Sequence, residues 1–211
     1  MKYTEATSTY QGEFAMGEDD RPEPGRRLRA DARRNRVRLI EVAKAMFSEG
    51  GGDTSLEAIA KAAGVGIGTL YRHFPTRDTL IEAVYRTETQ HLAQAAPRFS
   101  ETLPPVEALR AWLRLFVDHI ATKQVMSPVL ASMVAGPSEL YAESGAQVKA
   151  AIASLVDRAV ASGDIRLDID PLDLLRALAG VAGISSAPGW EQSAKRLVDI
   201  LIAGVRIPPV D

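Results

Sequence analysis

Apolar residues recur at helical spacing through most of this chain, and that periodicity constrains the fold more than any other feature of the sequence. Between residues 31 and 205 the apolar positions follow one another at intervals of three, four and seven residues, and clusters of proline and glycine separate the periodic segments. No segment shows the alternation of apolar and polar residues that is typical of a half-buried strand. The sequence therefore predicts an all-α fold of about nine helices.

The first three predicted helices are close together in the sequence. The first runs from Asp31 to the glycines at residues 50–52, and the second starts after a capping-box pattern that begins at Thr54. Gly64 ends the second helix, and the third follows with Gly66 as its N-cap. The other six helices are predicted at residues 77–94, 106–123, 128–134, 138–162, 171–183 and 191–205.

Charge is unevenly distributed along the 211 residues, whose formal net charge is −2. Residues 1–25 carry 2 basic and 6 acidic side chains, residues 26–92 carry 12 and 8, and residues 93–211 carry 11 and 13. A basic segment between two acidic ones is typical of a polyanion-binding module, although many solvated faces carry as much charge. Residues 1–30 show no apolar period, and we predict that they form a disordered extension, acidic first and then basic.

Several functional classes are disfavoured by what the sequence lacks. The chain has no cysteine, which excludes disulfides, thiolate metal sites and a cysteine nucleophile. His73, His91 and His119 lie far apart without metal-ligand spacing, and there is neither a Gly-x-Ser-x-Gly elbow nor a glycine-rich phosphate loop after a strand. We therefore predict no enzyme activity, no metal and no cofactor. No apolar run reaches the roughly 18 residues of a membrane span, so we expect a soluble, cytoplasmic protein.

Two short helices joined by a glycine-containing turn are the plan of a helix-turn-helix, and they occur here at residues 55–74. At about 100° per residue, Leu70 and Phe74 share one face of the second of these helices, and Arg72 lies on the opposite face. The remaining residues on the outward face and its flanks are Gly68, Thr69, Tyr71 and His73.

This outward face suits a DNA groove. Arginine can donate two hydrogen bonds to guanine O6 and N7, and the hydroxyl, phenol and imidazole groups beside it can contact phosphates. A glycine on the same face allows a close approach of the helix backbone. On spacing alone, an ordinary solvent-exposed face that happens to carry Arg72 and His73 remains the alternative.

The segment from Leu39 to Val84 resembles the helix-turn-helix of TetR-type transcriptional regulators. The agreement lies in LEAIA from Leu56, AGV from Ala63, GTLY from Gly68, HF from His73 and RDTL from Arg77. Downstream, ASGDIR from Ala161 and the pair Asp170-Pro171 also look like the regulatory domain of this family. The resemblance implies a helix-turn-helix DNA-binding domain at residues 31–85 and a ligand-binding and dimerisation domain at residues 86–211.

The same resemblance implies what the protein does and with what it associates. It implies a homodimer that binds a roughly palindromic operator in double-stranded DNA and releases it when an unidentified small molecule binds. We expect a repressor rather than an activator, because a dimer on a promoter blocks polymerase without further contacts. The alternative is a helical small-molecule-binding or dimerisation protein without sequence-specific DNA binding.

By motif position, the resemblance and the helix geometry assign DNA contacts to the third helix and the start of the fourth. The third-helix candidates are Gly68, Thr69, Tyr71, Arg72 and His73. Arg77 stands where the family usually has a phosphate-contacting lysine, whereas Gly66 and Ile67 replace the serine or threonine cap and the polar residue that are common there. Arg33 and Arg34 are further candidates, because the first helix would hold them near the DNA backbone. A solvated, charged helix start is the alternative for these two.

Candidates for the ligand site come from the helices that form the pocket in this family. They are the bulky side chains Trp112, Phe116, His119, Met126, Met133 and Tyr141. Apolar ligand sites are commonly lined by such side chains. Core packing explains each of them at least as well.

The last two predicted helices are apolar on more than one face, so they must be covered on more than one side. They could be central core helices. The explanation that we favour is a symmetric dimer, in which these helices form a four-helix bundle with their counterparts in the partner. The interface candidates are Leu174, Leu175, Leu178, Leu197, Ile200 and Leu201.

Overall fold

Eight α-helices make up the described part of the chain, which comprises residues 24–50, 53–133, 136, 138–184 and 189–207 of a computed structural model. The helices are α1 Pro24–Gly50, α2 Leu56–Ala62, α3 Ile67–His73, α4 Arg77–Thr102, α5 Pro105–Ala131, α6 Ser138–Ala161, α7 Pro171–Ile184 and α8 Trp190–Val205. Outside them, the described residues contribute one isolated bridge, between Ile165 and Arg206. The prediction of an all-α fold is confirmed.

The chain divides into two units, one up to Arg34 and one from Asn35 onward, and the second unit contains two apolar clusters. The first cluster joins α2 and α3 to the later part of α1, the start of α4, the end of α5 and the start of α6. The second cluster lies around Trp112 and joins the later part of α4 to α5, α6, α7 and α8. Because α4 and α5 contribute to both clusters, they connect the helix-turn-helix to the C-terminal helices.

The predicted break between a helix at 106–123 and another at 128–134 is wrong, because α5 continues through Pro128 to Ala131. A proline inside a helix costs about 3 kcal/mol through its missing N–H and its clash with the preceding turn. Met126, Val129 and Leu130 are completely buried on either side of it. Burying each such side chain stabilises by roughly 1.5–3 kcal/mol, which is enough to hold the proline within the helix.

The predicted end of the fourth helix at residue 94 is also wrong, since α4 includes Pro97 and ends at Thr102. Ala95 and Ala96 are buried in the second cluster, and Phe99 packs against it from the next turn. The apolar face of α4 therefore continues past Pro97. The boundary predicted between residues 85 and 86 falls inside this helix, and the separate functions assigned to its two sides stay a prediction.

The first helix begins at Pro24, within the segment that we predicted to be disordered up to residue 30. That prediction is therefore wrong for residues 24–30, while residues 1–23 lie outside the described residues. Proline is favoured at the start of a helix, and the three arginines, Leu28 and Ala30 that follow have high helix propensity. A helix start of this kind has no apolar period by which the sequence could reveal it.

The cap of α2 also differs from the predicted pattern by one residue. Ser55, not Thr54, is the N-cap, and its hydroxyl accepts a hydrogen bond from the backbone N–H of Ala58. The Thr54 hydroxyl instead donates to the carbonyl of Met46, 3.1 Å away. This bond ties the start of α2 to the end of α1.

Candidate DNA-binding surface and ligand cavity

The α3 helix is packed into its domain through Leu70 and Phe74, the two residues that helical geometry predicts on its buried face. Leu70 and Phe74 are buried, with 0% and 1% of their surface exposed. Gly66 is the N-cap in an extended conformation, as predicted, and it provides no side-chain hydrogen bond. The buried face of α3 is therefore confirmed.

The opposite face of α3 is open to solvent. Arg72, Tyr71 and Gly68 are exposed, whereas Thr69 and His73 are half-buried. Apart from its chain neighbours and the backbone of its own helix, no described protein atom lies within 4 Å of the position that a Cβ would occupy at Gly68. Packing within the described protein therefore does not require a glycine here.

The turn before α3 depends on Gly64. Its φ of +66° lies in the left-handed region that glycine adopts readily. The Gly64 N–H donates to Lys61, and the Val65 N–H donates to Ala60, at 3.1 and 3.0 Å. These bonds reverse the chain between α2 and α3 and set the angle at which α3 leaves the core.

Two arginines of α1 lie against the helix-turn-helix, and the motif assignment did not include them. The Arg36 guanidinium lies over the ring of Phe74, 4.5 Å from its centroid. The Arg38 guanidinium lies 3.9 Å from the position of a Cβ at Gly64. Both side chains are exposed, so α1 brings positive charge to the end of α3 and to the turn before it. Several arginines are visible in this part of the sequence. Which of them face the helix-turn-helix depends on how α1 packs, and the sequence alone does not show that.

Arg77 is half-buried, and its side chain contacts other residues of the protein. Its guanidinium donates to the carbonyl of Thr54 and lies over the Phe47 ring, 5.2 Å from the centroid. It therefore ties the start of α4 to the segments before it. Its contact to a phosphate stays a prediction.

Arg33 and Arg34 are exposed on α1, in the unit that ends at Arg34. Arg34 forms an ion pair with Asp31 one turn earlier, with both side chains largely exposed. Exposed pairs of this kind contribute little to stability, so Arg34 can exchange Asp31 for another anion. Their role in DNA binding stays a prediction.

The six ligand-site candidates do not lie together. Trp112 and Phe116 belong to the second apolar cluster, whereas Met126 and Met133 are buried in the first and Tyr141 packs against it. Trp112 is fully buried, and its indole N–H donates to the carbonyl of Leu92 at 2.9 Å. Core packing thus accounts for Trp112, Met126 and Met133.

A chain of ring contacts nevertheless connects the two clusters. Trp112 and Phe116 stack with centroids 5.9 Å apart, and His119 lies 6.4 Å from Phe116. His119 is also 6.4 Å from Tyr85, which meets Tyr141 edge to face at 5.6 Å. Tyr85 was not among the predicted site residues; it lies on α4, one residue after the end of the segment that resembles the family. Burial raises the pKa of Tyr85 to about 12, so its phenol stays protonated at physiological pH.

His119 lies at the wall of a cavity of about 180 Å³ between α1, α4 and α5. The lining residues are Lys44, Glu88, His91, Leu92, Leu115, Asp118, His119 and Thr122. Burial lowers the pKa of His119 to about 4, and the charges of Glu88, Lys123 and Lys44 modify this effect. The imidazole is therefore neutral at physiological pH.

An ion pair at this cavity joins α1 to α4. Lys44 Nζ lies 2.6 Å from Glu88 Oε2, and their side chains are 40% and 20% exposed. Asp118, on α5, pairs with Lys195 of α8 at 2.6 Å. Of the predicted ligand residues, only His119 lines this cavity, and the two ion pairs were not visible in the sequence because their partners are 44 and 77 residues apart.

The dimer-interface candidates divide into two groups. Leu174, Leu175 and Leu178 are buried in the second apolar cluster, with at most 6% of their surface exposed, so they have almost no area to offer a partner. Leu197 and Leu201 are half-buried against the same cluster, and Ile200 is 65% exposed. Packing in the core of one subunit therefore accounts for the leucines of α7. Among the interface candidates, Ile200 is the one with a largely exposed side chain that a partner could contact.

The described ranges contain neither a metal-binding cluster nor a membrane-spanning helix. These residues contain no group of three or more histidine, aspartate or glutamate side chains placed to hold a metal ion. None of the described helices combines the length and the apolar character needed to cross a bilayer.

Two family models match the chain. A model described as bacterial regulatory proteins, TetR family, matches residues 39–84, and a model of the C-terminal domain of SbtR-like transcriptional regulators matches residues 104–207. The first match contains the whole of α2 and α3, and the second contains the whole of α5, α6, α7 and α8.

Among curated proteins, an HTH-type transcriptional regulator of Staphylococcus aureus is 33% identical over 103 residues, which are 46% of this chain and 56% of the relative. The HTH-type transcriptional regulator UidR of Escherichia coli is 32% identical over 94 residues, or 44% of this chain and 42% of the relative. The chain thus spans about half the length of these relatives.

The solved structures that match over nearly their whole length include two TetR regulators. A TetR transcriptional regulator from Streptomyces coelicolor is 44% identical with a TM-score of 0.73, and the match covers 82% of this chain and 99% of that one. A TetR transcription regulatory protein from Mycobacterium vanbaalenii is 30% identical with a TM-score of 0.70, over 85% and 99% of the two chains.

Proposed function

Because the chain belongs to the TetR family of bacterial transcriptional regulators, we propose that it is a homodimeric repressor, which binds a palindromic operator and releases it when a small molecule binds. It is a DNA-binding regulator from a family of transcription factors rather than enzymes. The operator is chromosomal DNA, and we place the protein in the cytoplasm for that reason.

The outward face of α3 carries this proposal. Arg72 is exposed on the side of the helix opposite the buried Leu70 and Phe74, and Gly68 beside it leaves the backbone open. A helix presented in this way can enter the major groove, where an arginine donates two hydrogen bonds to a guanine. Arg72 is therefore assigned to base reading, and Thr69, Tyr71 and His73 to contacts on either side of it.

Sequence-independent affinity is assigned to the other cations of this region. Arg36 and Arg38 lie beside α3 and its preceding turn, and both are exposed. Each phosphate that such a side chain neutralises releases counterions, so binding weakens as salt rises. Arg33, Arg34 and Arg77 are further phosphate candidates on sequence grounds.

Dimerisation is assigned to the exposed faces of α7 and α8. On α8, Ile200, Ala203 and Gly204 lie one turn apart and are exposed, and on α7 Gly180 and Gly183 are exposed one turn apart. No described atom lies within 4 Å of a Cβ placed at any of these three glycines. Small residues at these positions allow helices of two subunits to pack closely around Ile200, while the leucines of α7 remain in each subunit's core.

Release of the operator requires that ligand binding favour a state with lower DNA affinity. The α4 helix is suited to this role because it starts beside the helix-turn-helix and lines the cavity at Glu88. A ligand that shifts α4 changes the packing of Leu80, Ile81 and Val84, which are buried against α1, α2 and α3.

The test is a selection of bound DNA. Purified protein is incubated with fragments of the source genome, the retained fragments are sequenced, and a gel shift with the selected site follows. We expect enrichment of a two-fold symmetric sequence with half-sites about one or more helical turns apart. Retention of no fragment above background, with a folded protein, would instead favour a helical ligand-binding protein that does not read DNA.

A further inference from the structure

The cavity beside His119 has the size and the walls of a small-molecule site. Its volume is about 180 Å³ and it opens to solvent, since its lining residues His91 and Asp118 are exposed; an enclosed cavity of about 150 Å³ accommodates benzene. Leu92 and Leu115 supply apolar wall, while Glu88, Asp118 and Thr122 supply polar groups. Apolar surface with a few converging polar groups is the usual composition of such a site. The cavity therefore fits a compound with a single ring and one polar group.

The charges at the cavity discriminate between ligand classes. Among the lining side chains, Glu88 and Asp118 are carboxylates, Lys44 carries the one ammonium group, and His91 and His119 are imidazoles. Asp118 is neutralised by Lys195, and Glu88 by Lys44. An anionic ligand would have to draw Lys44 away from the more buried Glu88, which would leave that carboxylate unpaired beside the ligand. Such a ligand is disfavoured by like-charge repulsion.

A cationic ligand meets the opposite situation. Lys44 is the more exposed partner of the pair, at 40% against 20% for Glu88, and its long side chain can turn into water at little cost. Glu88 is more buried and cannot turn into water in the same way. Once Lys44 has left, its carboxylate is therefore stabilised by another cation. The neutral His119 ring does not repel a cation, and one of its nitrogens can accept a hydrogen bond from an ammonium group.

We propose that this cavity binds a small aromatic or cyclic amine in its protonated form, whose ammonium group takes the place of Lys44 on Glu88. The ring of the ligand lies against Leu92 and Leu115, and the ammonium group lies between Glu88 and His119.

Binding of this kind would reach the helix-turn-helix directly. Lys44 belongs to α1 and Glu88 to α4, so the incoming amine removes an ion pair that joins these helices. Neighbours of Lys44 on α1, such as Ala43 and Phe47, are buried in the same cluster as Leu70. This second step rests on the function proposed above, whereas the amine site itself does not.

The site is tested by calorimetric titration of the full chain with three probes of equal size: benzylamine, benzyl alcohol and benzoate, which are cationic, neutral and anionic at neutral pH. We expect benzylamine to bind at least about tenfold more tightly than the other two. Equal binding of benzylamine and benzyl alcohol, or preferential binding of benzoate, would overturn the proposal.

Two substitutions give opposite predictions for the same probe. Glu88→Gln removes the carboxylate and should weaken benzylamine binding by about tenfold or more. Lys44→Met removes the competing ammonium and should tighten benzylamine binding several-fold, a result that general damage to the fold does not produce. Glu101→Gln, which changes an exposed carboxylate of α4 that does not line the cavity, should leave binding unchanged. Weaker benzylamine binding in Lys44→Met would overturn the exchange of cations.

The coupling step has a separate measurement. Benzylamine is added to the complex of the protein with its selected DNA, and release is followed by gel shift. Binding by calorimetry together with release supports both steps. Binding without release overturns the coupling and leaves the amine site standing, while a failure to select any DNA bears on the function proposed above and not on the calorimetric result.

Discussion

The Arg36 guanidinium lies over the ring of Phe74, with 4.5 Å between its central carbon and the ring centroid. Phe74 is the C-cap of α3 and is buried from its other sides. The contact joins an exposed cation of α1 to the end of the helix that carries Arg72. It holds the end of that helix and places positive charge beside it at the same time.

Arg36→Ala should therefore lower the free energy of unfolding by about 0.5–1 kcal/mol, the usual contribution of a cation–π contact near the surface. Denaturation by urea measures this change. Arg33→Ala, an exposed arginine on the same helix, is the matched control and should change stability by less than about 0.5 kcal/mol. Equal losses in the two variants would show that the ring contact contributes nothing specific.

Gly68→Ala should move stability and DNA affinity in opposite directions. Alanine in a helix interior is more stable than glycine by roughly 0.5–1 kcal/mol, and no described protein atom lies within 4 Å of the added methyl group. The same methyl group would lie on the face assigned to the DNA groove, so we expect weaker operator binding. Urea denaturation and a gel shift on the same preparation measure the two effects, and unchanged DNA affinity would remove Gly68 from the DNA-facing surface.

Burial lowers the pKa of His119 from 6.5 to about 4, and this makes stability depend on pH. Below pH 6.5 the unfolded chain takes up a proton on this residue, whereas the folded chain does so only near pH 4. The contribution is therefore fully present above pH 6.5 and is lost as the pH falls towards 4. Between pH 7.5 and pH 5 the expected loss from this group is about 2 kcal/mol.

His119→Gln removes that titration while keeping a polar side chain. The variant should lose correspondingly less stability than the native chain between pH 7.5 and pH 5, measured by urea denaturation at each pH. Glu88, Lys44 and Lys123 act on the ring from α1, α4 and α5 and are unchanged in both proteins. An identical loss in the two proteins would mean that His119 is already protonated in the fold at pH 5.

Ile200→Asp should separate the proposed dimer, because it places a charge on the most exposed large apolar residue in the described part of the chain, at 65%. We expect the dimer dissociation constant to rise by about tenfold or more. Val160→Asp alters another exposed apolar residue, on α6, and is the matched control. Sedimentation over a range of concentrations measures both, and a native dissociation constant in Ile200→Asp would place the interface elsewhere.

The helix-turn-helix could be predicted almost completely from sequence because its determinants are local. The turn glycine, the N-cap at Gly66 and the angular separation of Arg72 from Leu70 all follow from spacing along at most ten residues. The continuation of α4 and α5 through Pro97 and Pro128 could not be predicted in this way. It depends on burial against distant helices, which outweighs the local cost of a proline.

The difference between local and long-range determinants also explains why the ligand-site and dimer-interface candidates were predicted less well than the helix-turn-helix. Bulky apolar residues on α5 and α7 were visible, but the sequence does not reveal whether a side chain faces the core, a cavity or a partner. Leu178 faces the core, and His119 faces both a ring neighbour and the cavity. The pairing of Lys44 with Glu88 spans 44 residues and is created by the packing of α1 on α4.

The most direct test of the central claim is the sequence preference of Arg72→Ala, measured by repeating the DNA selection with this variant beside the native chain. Because Arg72 is exposed opposite the buried face of α3, the substitution should leave the fold intact. Discrimination at one symmetric base-pair position should fall by about 1–3 kcal/mol, while preference elsewhere in the operator is retained. An unchanged preference at every position would contradict the assignment of Arg72, and with it the base-reading role of this face of α3.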